Sequence, residues 1–137
     1  MNKKNVAIWL LRIALAGLYL MMSLPKFAGD EVTIHIFSSL GVEPWGRYLT
    51  GIIEILVFIL VLVPATTIYG IFVSLATIFG ALMAHFFVIG IVVKNASGTI
   101  NDGGQIFTTA LIILALSLVN LYVHRTTVPG FNKCSNN

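Results

Sequence analysis

Four long apolar runs constrain this chain more than any other feature of its sequence. They cover about residues 6–24, 46–63, 68–93 and 105–123. Runs of about 18 or more apolar residues with few charges are typical of transmembrane helices, because that length spans the hydrocarbon core of a bilayer. Only 9% of the 137 residues are charged, against roughly 25% in a soluble domain. We therefore predict an all-α integral membrane protein, a four-helix bundle that forms a single domain over residues 1–137 and contacts the lipid bilayer.

The distribution of lysine and arginine predicts the direction of the four spans. Lys3 and Lys4 precede the first span, and Arg125 and Lys133 follow the fourth. Because segments rich in these residues remain on the cytoplasmic side, and four spans return the chain to the side where it began, we expect both termini in the cytoplasm. A secretory signal peptide is the alternative reading of the first run. Since Arg12 interrupts its apolar region, we expect this helix to be retained.

The two longer connections are then expected on the outer face of the membrane. The first, residues 28–44, contains VTIHIFSSLGV, which is apolar enough to form a short amphipathic helix. Such a helix would lie on the membrane surface or plug the mouth of the bundle. The second, residues 94–104 with the sequence KNASGTINDGG, has the composition of a turn-rich connection, and we favour that reading over a cation site. No metal site is predicted.

The cysteine count and the net charge argue against two classes of function. Cys134 stands alone in a polar tail, so the chain has neither a disulfide framework nor a CxxC pair, and the four-helix thiol oxidoreductases are disfavoured. The net charge of +3 comes largely from the chain ends. We interpret it as a topology signal, and we predict no nucleic-acid partner.

Polar residues in the first span share one face of the helix. A spacing of four, three, four and three residues puts on that face Arg12, Ala16, Tyr19, Ser23 and Lys26. A charged residue near the middle of a membrane helix costs roughly 2.5–3.5 kcal/mol. Arg12 therefore needs either a polar partner inside the protein or contact with the cytoplasmic headgroups. Lys26, at the outer end, is expected to extend to the outer surface.

Glu54 is the only acidic residue within a predicted span. It shares a helix face with Arg47 and Gly51 and lies about two turns below the outer mouth of the bundle. A carboxylate alone in hydrocarbon takes up a proton rather than remaining charged. Buried carboxyl groups of this kind commonly take part in proton transfer, so we select Glu54 as a candidate catalytic residue.

His85 is the second candidate catalytic residue. It ends a face of small residues in the third span, along which another helix is expected to pack closely. Because successive spans alternate in direction, Glu54 and His85 are expected at a similar depth near the outer side. A purely structural hydrogen bond between helices is the alternative role for His85. We assign the other polar positions to a ligand-binding or structural network: Arg12, Tyr19, Lys26, Arg47, Gln105 near the level of His85, and Asn120 near the depth of Arg12.

Four motifs follow one another along the spans: Arg12, Pro25-Lys26-Phe27, Gly51-x-x-Glu54 and Ala84-His85. Together, over about residues 6–123, they resemble the DoxX family of small four-helix bacterial membrane proteins. The resemblance implies a location in the bacterial cytoplasmic membrane and functional roles for Arg12, Lys26, Glu54 and His85. It also implies an association with redox systems, since the family takes its name from a subunit of a membrane thiosulfate:quinone oxidoreductase and some members belong to thiol-stress complexes. Because no cysteine lies in a span, a role that needs thiol exchange inside the bundle is disfavoured.

The first functional hypothesis is a membrane subunit of a redox system. Its outward-facing polar pocket would bind a quinone or a similar amphiphile, Glu54 and His85 would handle protons, and Lys26 or Arg47 would steer anions. The sequence has no flavin, nicotinamide or covalent-haem motif. Electrons must then come from a partner protein or from a cofactor bound without a covalent link.

The second hypothesis is a non-enzymatic adaptor or chaperone for another membrane or exported protein. The outer loop around His35 and Phe37 would contact that partner. A small transporter is the weakest interpretation, because four spans with one acidic residue would require a homo-oligomer.

Overall fold

The computed structural model describes residues 2–125, and over that range the chain contains helices and loops but no strand of a sheet. Lys133 and Cys134 lie outside the described residues. Four of the helices are long and apolar enough to cross a membrane. The helices are α1 (Lys3–Ala28), α2 (Glu31–Ser39), α3 (Trp45–Leu62), α4 (Thr67–Ala84), which continues into a π-helical turn (His85–Ile89), and α5 (Gln105–Val123).

The first helix continues past the point where the apolar pattern predicts its end. It passes through Pro25 and ends at Ala28 rather than at Leu24. The ring of Pro25 keeps a helical φ but removes one N–H donor and crowds the carbonyl four residues earlier, and the helix ends one turn later. Gly29, with φ 73°, then ends the helix in the left-handed conformation, and its N–H donates to the carbonyl of Pro25.

The third predicted span is shorter than expected at its C-terminal end. It ends at Ile89 rather than at Val93, because Gly90 takes a φ of 85°, which a helix does not tolerate. The N–H of Gly90 donates to the carbonyl of His85 at 2.8 Å, five residues back, which is the hydrogen bond of a π-helix. Residues 90–104 form the predicted turn-rich connection, with an isolated bridge between Lys94 and Asn101.

Each long helix packs against two others: α1 and α4 both contact α3 and α5. One stripe of each helix faces inward. The core between the helices consists of Leu15, Ala16 and Tyr19, Val57 and Val61, Ile78 and Leu82, and Ala110 and Ile113. Large apolar side chains face outward, among them Phe79, Phe86 and Phe87. An exposed apolar surface of this extent is characteristic of contact with lipid.

The short helix predicted in the first connection is present as α2. Asp30 caps it, since its Oδ2 accepts hydrogen bonds from the N–H groups of Val32 and Thr33 at 3.1 and 3.4 Å. The helix packs against α1, α3 and the π-helical turn, and it buries Phe37. It therefore covers one end of the long helices, which we call the α2 end. The opposite end, which carries Lys3 and Arg125, we call the terminal end.

Candidate functional site

The polar face of α1 is directed into the protein along its whole length. Arg12, Ala16, Tyr19, Ser23 and Lys26 are all buried, and they form the inward stripe of the helix together with Leu15. Residues at this spacing project from one side of an α-helix. The prediction that they share one face is confirmed.

Lys26 does not extend to the outer surface, so that prediction is wrong. Its Nζ lies 2.8 Å from Oε1 of Glu54 on α3, and it also donates to the carbonyl of Met22 at 3.0 Å. Lys26 and Glu54 are 7% and 3% exposed. The ammonium of Lys26 points inward because the carboxylate of Glu54 is within reach and accepts a hydrogen bond from it. In a medium of low dielectric constant, the two opposite charges attract each other far more strongly than in water. Glu54 is therefore paired with a cation, and it does not stand alone in an apolar environment.

The ion pair leaves one carboxylate oxygen without a partner. Among residues 2–125, Oε2 of Glu54 is one of two buried side-chain oxygen or nitrogen atoms that make no hydrogen bond, and the other is Oδ1 of Asn120. A buried polar atom of this kind costs about 1–3 kcal/mol, and more when it carries charge. Such an atom in a native protein calls for an explanation, and a binding function is one.

A cavity of about 1080 Å³ lies between the helices beneath α2, and Lys26 and Glu54 both line it. Tyr19, His85 and Gln105 line the same cavity. Most of its remaining wall is apolar, with side chains such as Met21, Met22, Ile36, Phe37 and Ile53. Large, mainly apolar cavities with a few convergent polar groups are characteristic of small-molecule sites. The structure thus brings together five of the eight residues selected from the sequence.

His85 lies in the π-helical turn that ends α4, and only 3% of it is exposed. Its Nδ1 is 2.8 Å from the carbonyl oxygen of Gly90. Since a carbonyl only accepts, we assign the proton to Nδ1, and in the neutral ring Nε2 is then an acceptor. The edge contact with Phe107, at 5.5 Å between ring centroids, holds the imidazole in place. The cavity therefore contains a buried histidine as well as a buried carboxylate.

The hydroxyl groups that line the cavity donate to protein carbonyls. Each of four threonines, Thr33, Thr50, Thr77 and Thr109, donates to a carbonyl oxygen of its own helix or cap at 2.7–2.8 Å. Tyr19 donates to the carbonyl of Ser74 at 3.0 Å and accepts from the Ser74 hydroxyl at 2.9 Å. Ser74 in turn lies 2.6 Å from the hydroxyl of Ser117. These donors are therefore engaged within the protein, in contrast to Oε2 of Glu54.

Asp102 stands at the rim of the cavity and caps α5. Its carboxylate accepts hydrogen bonds from the N–H groups of Val93, Gly104 and Ile106 at 2.7, 3.0 and 3.1 Å. Burial, the largest single effect, raises the pKa of Asp102. The three N–H donors and the nearby His85 together outweigh it and hold the pKa below its ordinary value. Asp102 is thus a structural carboxylate that fixes the loop against the helix.

Arg47 is not among the residues that line the cavity. Its Nε donates to both carboxylate oxygens of Glu43, at 2.8 and 3.1 Å, and its guanidinium lies over the ring of Tyr48. A further N–H donates to the carbonyl of Lys26. Arg47 therefore joins α3 to the end of α1 and holds Lys26 in position. The predicted role of steering anions stays a hypothesis.

Arg12 and Asn120 lie away from the cavity, toward the terminal end. Arg12 is 4% exposed and donates from Nε to the carbonyl of Val61 at 2.8 Å and from Nη2 to that of Leu62 at 2.6 Å. Of the two alternatives for Arg12, the structure shows the internal partner. The last carbonyls of a helix have no partner within it and attract a cation, which explains this position. The amide of Asn120 donates to the carbonyls of Leu116 at 2.9 Å and Leu11 at 3.4 Å, next to Arg12 as predicted from its depth.

The residues expected to contact a partner protein are engaged within the chain. Phe37 is 9% exposed and packs inward, and Nε2 of His35 lies 3.1 Å from the carbonyl of Lys94. Sequence reasoning missed Asp102 as a cap, although an aspartate just before an apolar helical run is a signal for one. It also missed the hydrogen bonds between Ser74 and Tyr19, for which no sequence signal exists.

No protein-family model, curated protein or solved structure matches this chain.

Proposed function

We propose that the protein is a multi-pass membrane protein whose cavity beneath α2 binds an amphiphilic small molecule and exchanges protons with it. In this proposal the four long helices form a transmembrane bundle of the DoxX type in a bacterial cytoplasmic membrane. Both termini are cytoplasmic, and the α2 end faces outward. The protein acts as a membrane subunit of a redox system, and a quinone is the ligand class we favour.

One observation carries this proposal: a buried carboxylate with a free oxygen lines a large apolar cavity that also contains a buried histidine. The apolar wall suits a hydrocarbon tail, while Lys26, Glu54 and His85 suit a polar headgroup. A structural ion pair alone would not require a cavity of about 1080 Å³ beside it. The resemblance to the DoxX family, which rests on the same residues, is a further reason to favour redox chemistry.

The proposed chemistry uses carboxylate and imidazole as proton carriers. Reduction of a quinone to a quinol takes up two electrons and two protons. The electrons would come from a redox partner protein, and the protons would pass through Glu54 and His85, the titratable groups suited to that role. Lys26 would position the headgroup while holding Glu54 in place.

Native mass spectrometry of the purified protein, with its lipids and any quinones retained, tests the proposal. We expect an adduct with the mass of a quinone on the wild-type protein. It should be lost or strongly reduced in Glu54→Gln, which keeps the shape of the side chain but removes the carboxylate. Glu31→Gln, an exposed position on α2, is the matched control and should retain the adduct. Absorption spectra of the same sample detect haem or flavin directly.

Two outcomes would contradict the proposal. The first is a wild-type protein without a bound amphiphile even after addition of a short-chain quinone. The second is a Glu54→Gln variant that is fully assembled and retains the same adduct. The adaptor or chaperone alternative would then gain support. Its partner contacts would have to lie elsewhere than on Phe37, which is buried.

A further inference from the structure

The Lys26–Glu54 pair offers one hydrogen-bond acceptor and one donor side by side. Glu54 uses Oε1 for the ion pair, and Oε2 has no partner among residues 2–125. The ammonium of Lys26 has three N–H donors, and two acceptors are described for it, Oε1 of Glu54 and the carbonyl of Met22. One donor of Lys26 and one acceptor of Glu54 therefore remain for a ligand.

The net charge of this pair is zero. A carboxylate ligand would place a third charge beside Glu54, and an ammonium ligand would place one beside Lys26, in a wall that is mostly apolar. Burial of a charge without its own partner is strongly unfavourable. Binding at the pair thus favours an uncharged headgroup.

Among uncharged groups, a hydroxyl fits the pair because it donates and accepts through one oxygen atom. It would donate to Oε2 of Glu54 and accept from Lys26. A carbonyl or an ether accepts only, so it would leave Oε2 without a partner. The last side-chain torsion of glutamate is soft, so the carboxylate can turn Oε2 toward a hydroxyl in the cavity.

The other buried polar groups of the cavity do not offer this combination. His85 uses Nδ1 for the carbonyl of Gly90, which leaves no donor on its ring, and the amides of Asn101 and Gln105 belong to exposed residues, where water competes with a ligand. The lining threonines donate to carbonyls within the protein, as does Tyr19. Asp30 and Asp102 accept from backbone N–H groups as helix caps. The ion pair is therefore the place in the cavity where an incoming hydroxyl replaces a missing interaction.

We infer that the ligand of this cavity carries an alcohol or phenol hydroxyl on an apolar tail, and that the hydroxyl binds between Lys26 and Glu54. The inference rests on the proposed ligand-binding role of the cavity. For a quinone and its quinol, it means that the quinol, which has the hydroxyl groups, binds more tightly than the quinone.

A series of probes with the same tail tests this inference on the wild-type protein in phosphatidylcholine nanodiscs. The probes are 1-dodecanol, dodecyl methyl ether, laurate and dodecylammonium, and binding is measured by calorimetry with empty nanodiscs as the partition control. We expect the alcohol to bind about tenfold to hundredfold more tightly than the ether, since a hydrogen bond to a charged group is lost. Laurate and dodecylammonium should bind more weakly than the alcohol.

A double variant, Lys26→Met with Glu54→Met, provides the second measurement. It removes both charges together, which leaves neither one unpaired, so it should fold. The preference for the alcohol over the ether should disappear in it. Equal binding of alcohol and ether by the wild-type protein, or tighter binding of laurate, would overturn the inference alone. Failure of every probe and of a short-chain quinol to bind would overturn the ligand-binding role itself.

Discussion

Nζ of Lys26 lies 2.8 Å from Oε1 of Glu54, and this contact joins the last turn of α1 to the middle of α3. Both side chains are more than nine-tenths buried. A buried ion pair contributes little net stability, because the loss of hydration offsets most of the attraction. The ion pair instead fixes the positions of the two charged groups, which here line the cavity.

Removal of one partner of this pair should destabilise the protein far more than removal of both. We expect Lys26→Met to lower the free energy of unfolding by about 3–5 kcal/mol, since it leaves a carboxylate buried without its cation. The double variant Lys26→Met, Glu54→Met should be close to the wild type. Unfolding by denaturing detergent, followed by circular dichroism, measures both. Lys94→Met, at an exposed position in a loop, is the control and should have almost no effect.

Arg12 should be required for the junction between α1 and the end of α3. Arg12→Met leaves the carbonyl of Leu62 without this donor, and the carbonyl of Val61 with only the hydroxyl of Thr67 at 3.2 Å. We expect a loss of about 1.5–3 kcal/mol, the range for hydrogen bonds to a charged group. Arg125→Met removes the same side chain from an exposed position, so its stability should stay near that of the wild type. Equal effects of the two substitutions would contradict the role given to Arg12.

Two glycines of α4 should respond in opposite ways to alanine. A Cβ at Gly70 would lie 2.9 Å from the backbone nitrogen of Val61 and from Cβ of Leu60, so the helices would have to separate. We expect Gly70→Ala to destabilise the protein by about 1–3 kcal/mol. Gly80 has no atom within 4 Å of the same position. Gly80→Ala should therefore be neutral or stabilise the helix by up to about 1 kcal/mol, and thermal unfolding of the two variants in one detergent tests the contrast.

The Asp102 cap should make stability depend on pH in acid. Because the pKa of Asp102 in the folded protein lies below its ordinary value of 3.8, the charged carboxylate stabilises the fold above that value. This contribution is lost as the pH falls through the folded pKa. At about pH 7 we expect Asp102→Ala to lower stability by about 0.5–2 kcal/mol, as for the loss of a helix cap.

In thermal unfolding, the difference between Asp102→Ala and the wild type should shrink as the pH falls below 3.8. Glu31→Ala, which removes an exposed carboxylate from the first turn of α2, controls for a general effect of charge. If Asp102→Ala lowers the unfolding temperature by the same amount at every pH, the negative charge of the cap is unimportant.

Helical periodicity is sufficient to group the polar residues of the first span on one face. Arg12, Tyr19 and Lys26 can be placed on one face of α1 because side-chain direction repeats with every 3.6 residues. The depth of Asn120 beside Arg12 follows in the same way from the alternating direction of the helices. The four long helices are predicted by apolar length alone.

The partners of these residues do not follow from periodicity. Whether Lys26 turns outward or binds Glu54 depends on how closely α1 and α3 approach each other. The two residues are 28 positions apart in the sequence. The acceptors of Arg12 are backbone carbonyls, which carry no sequence signature. The end of the π-helical turn at Ile89 depends on the conformation of Gly90, and an apolar pattern that continues to Val93 hides it.

The contact between Arg12 and the end of α3 has a consequence for biogenesis. Val61 lies 49 residues further along the chain than Arg12, so the ribosome completes the first helix well before these acceptors exist. During that interval the guanidinium lacks the acceptors that it has in the folded protein. We therefore expect the amino-terminal helix to depend on a later segment of the same polypeptide, so that truncation before Val61 leaves the nascent protein poorly inserted.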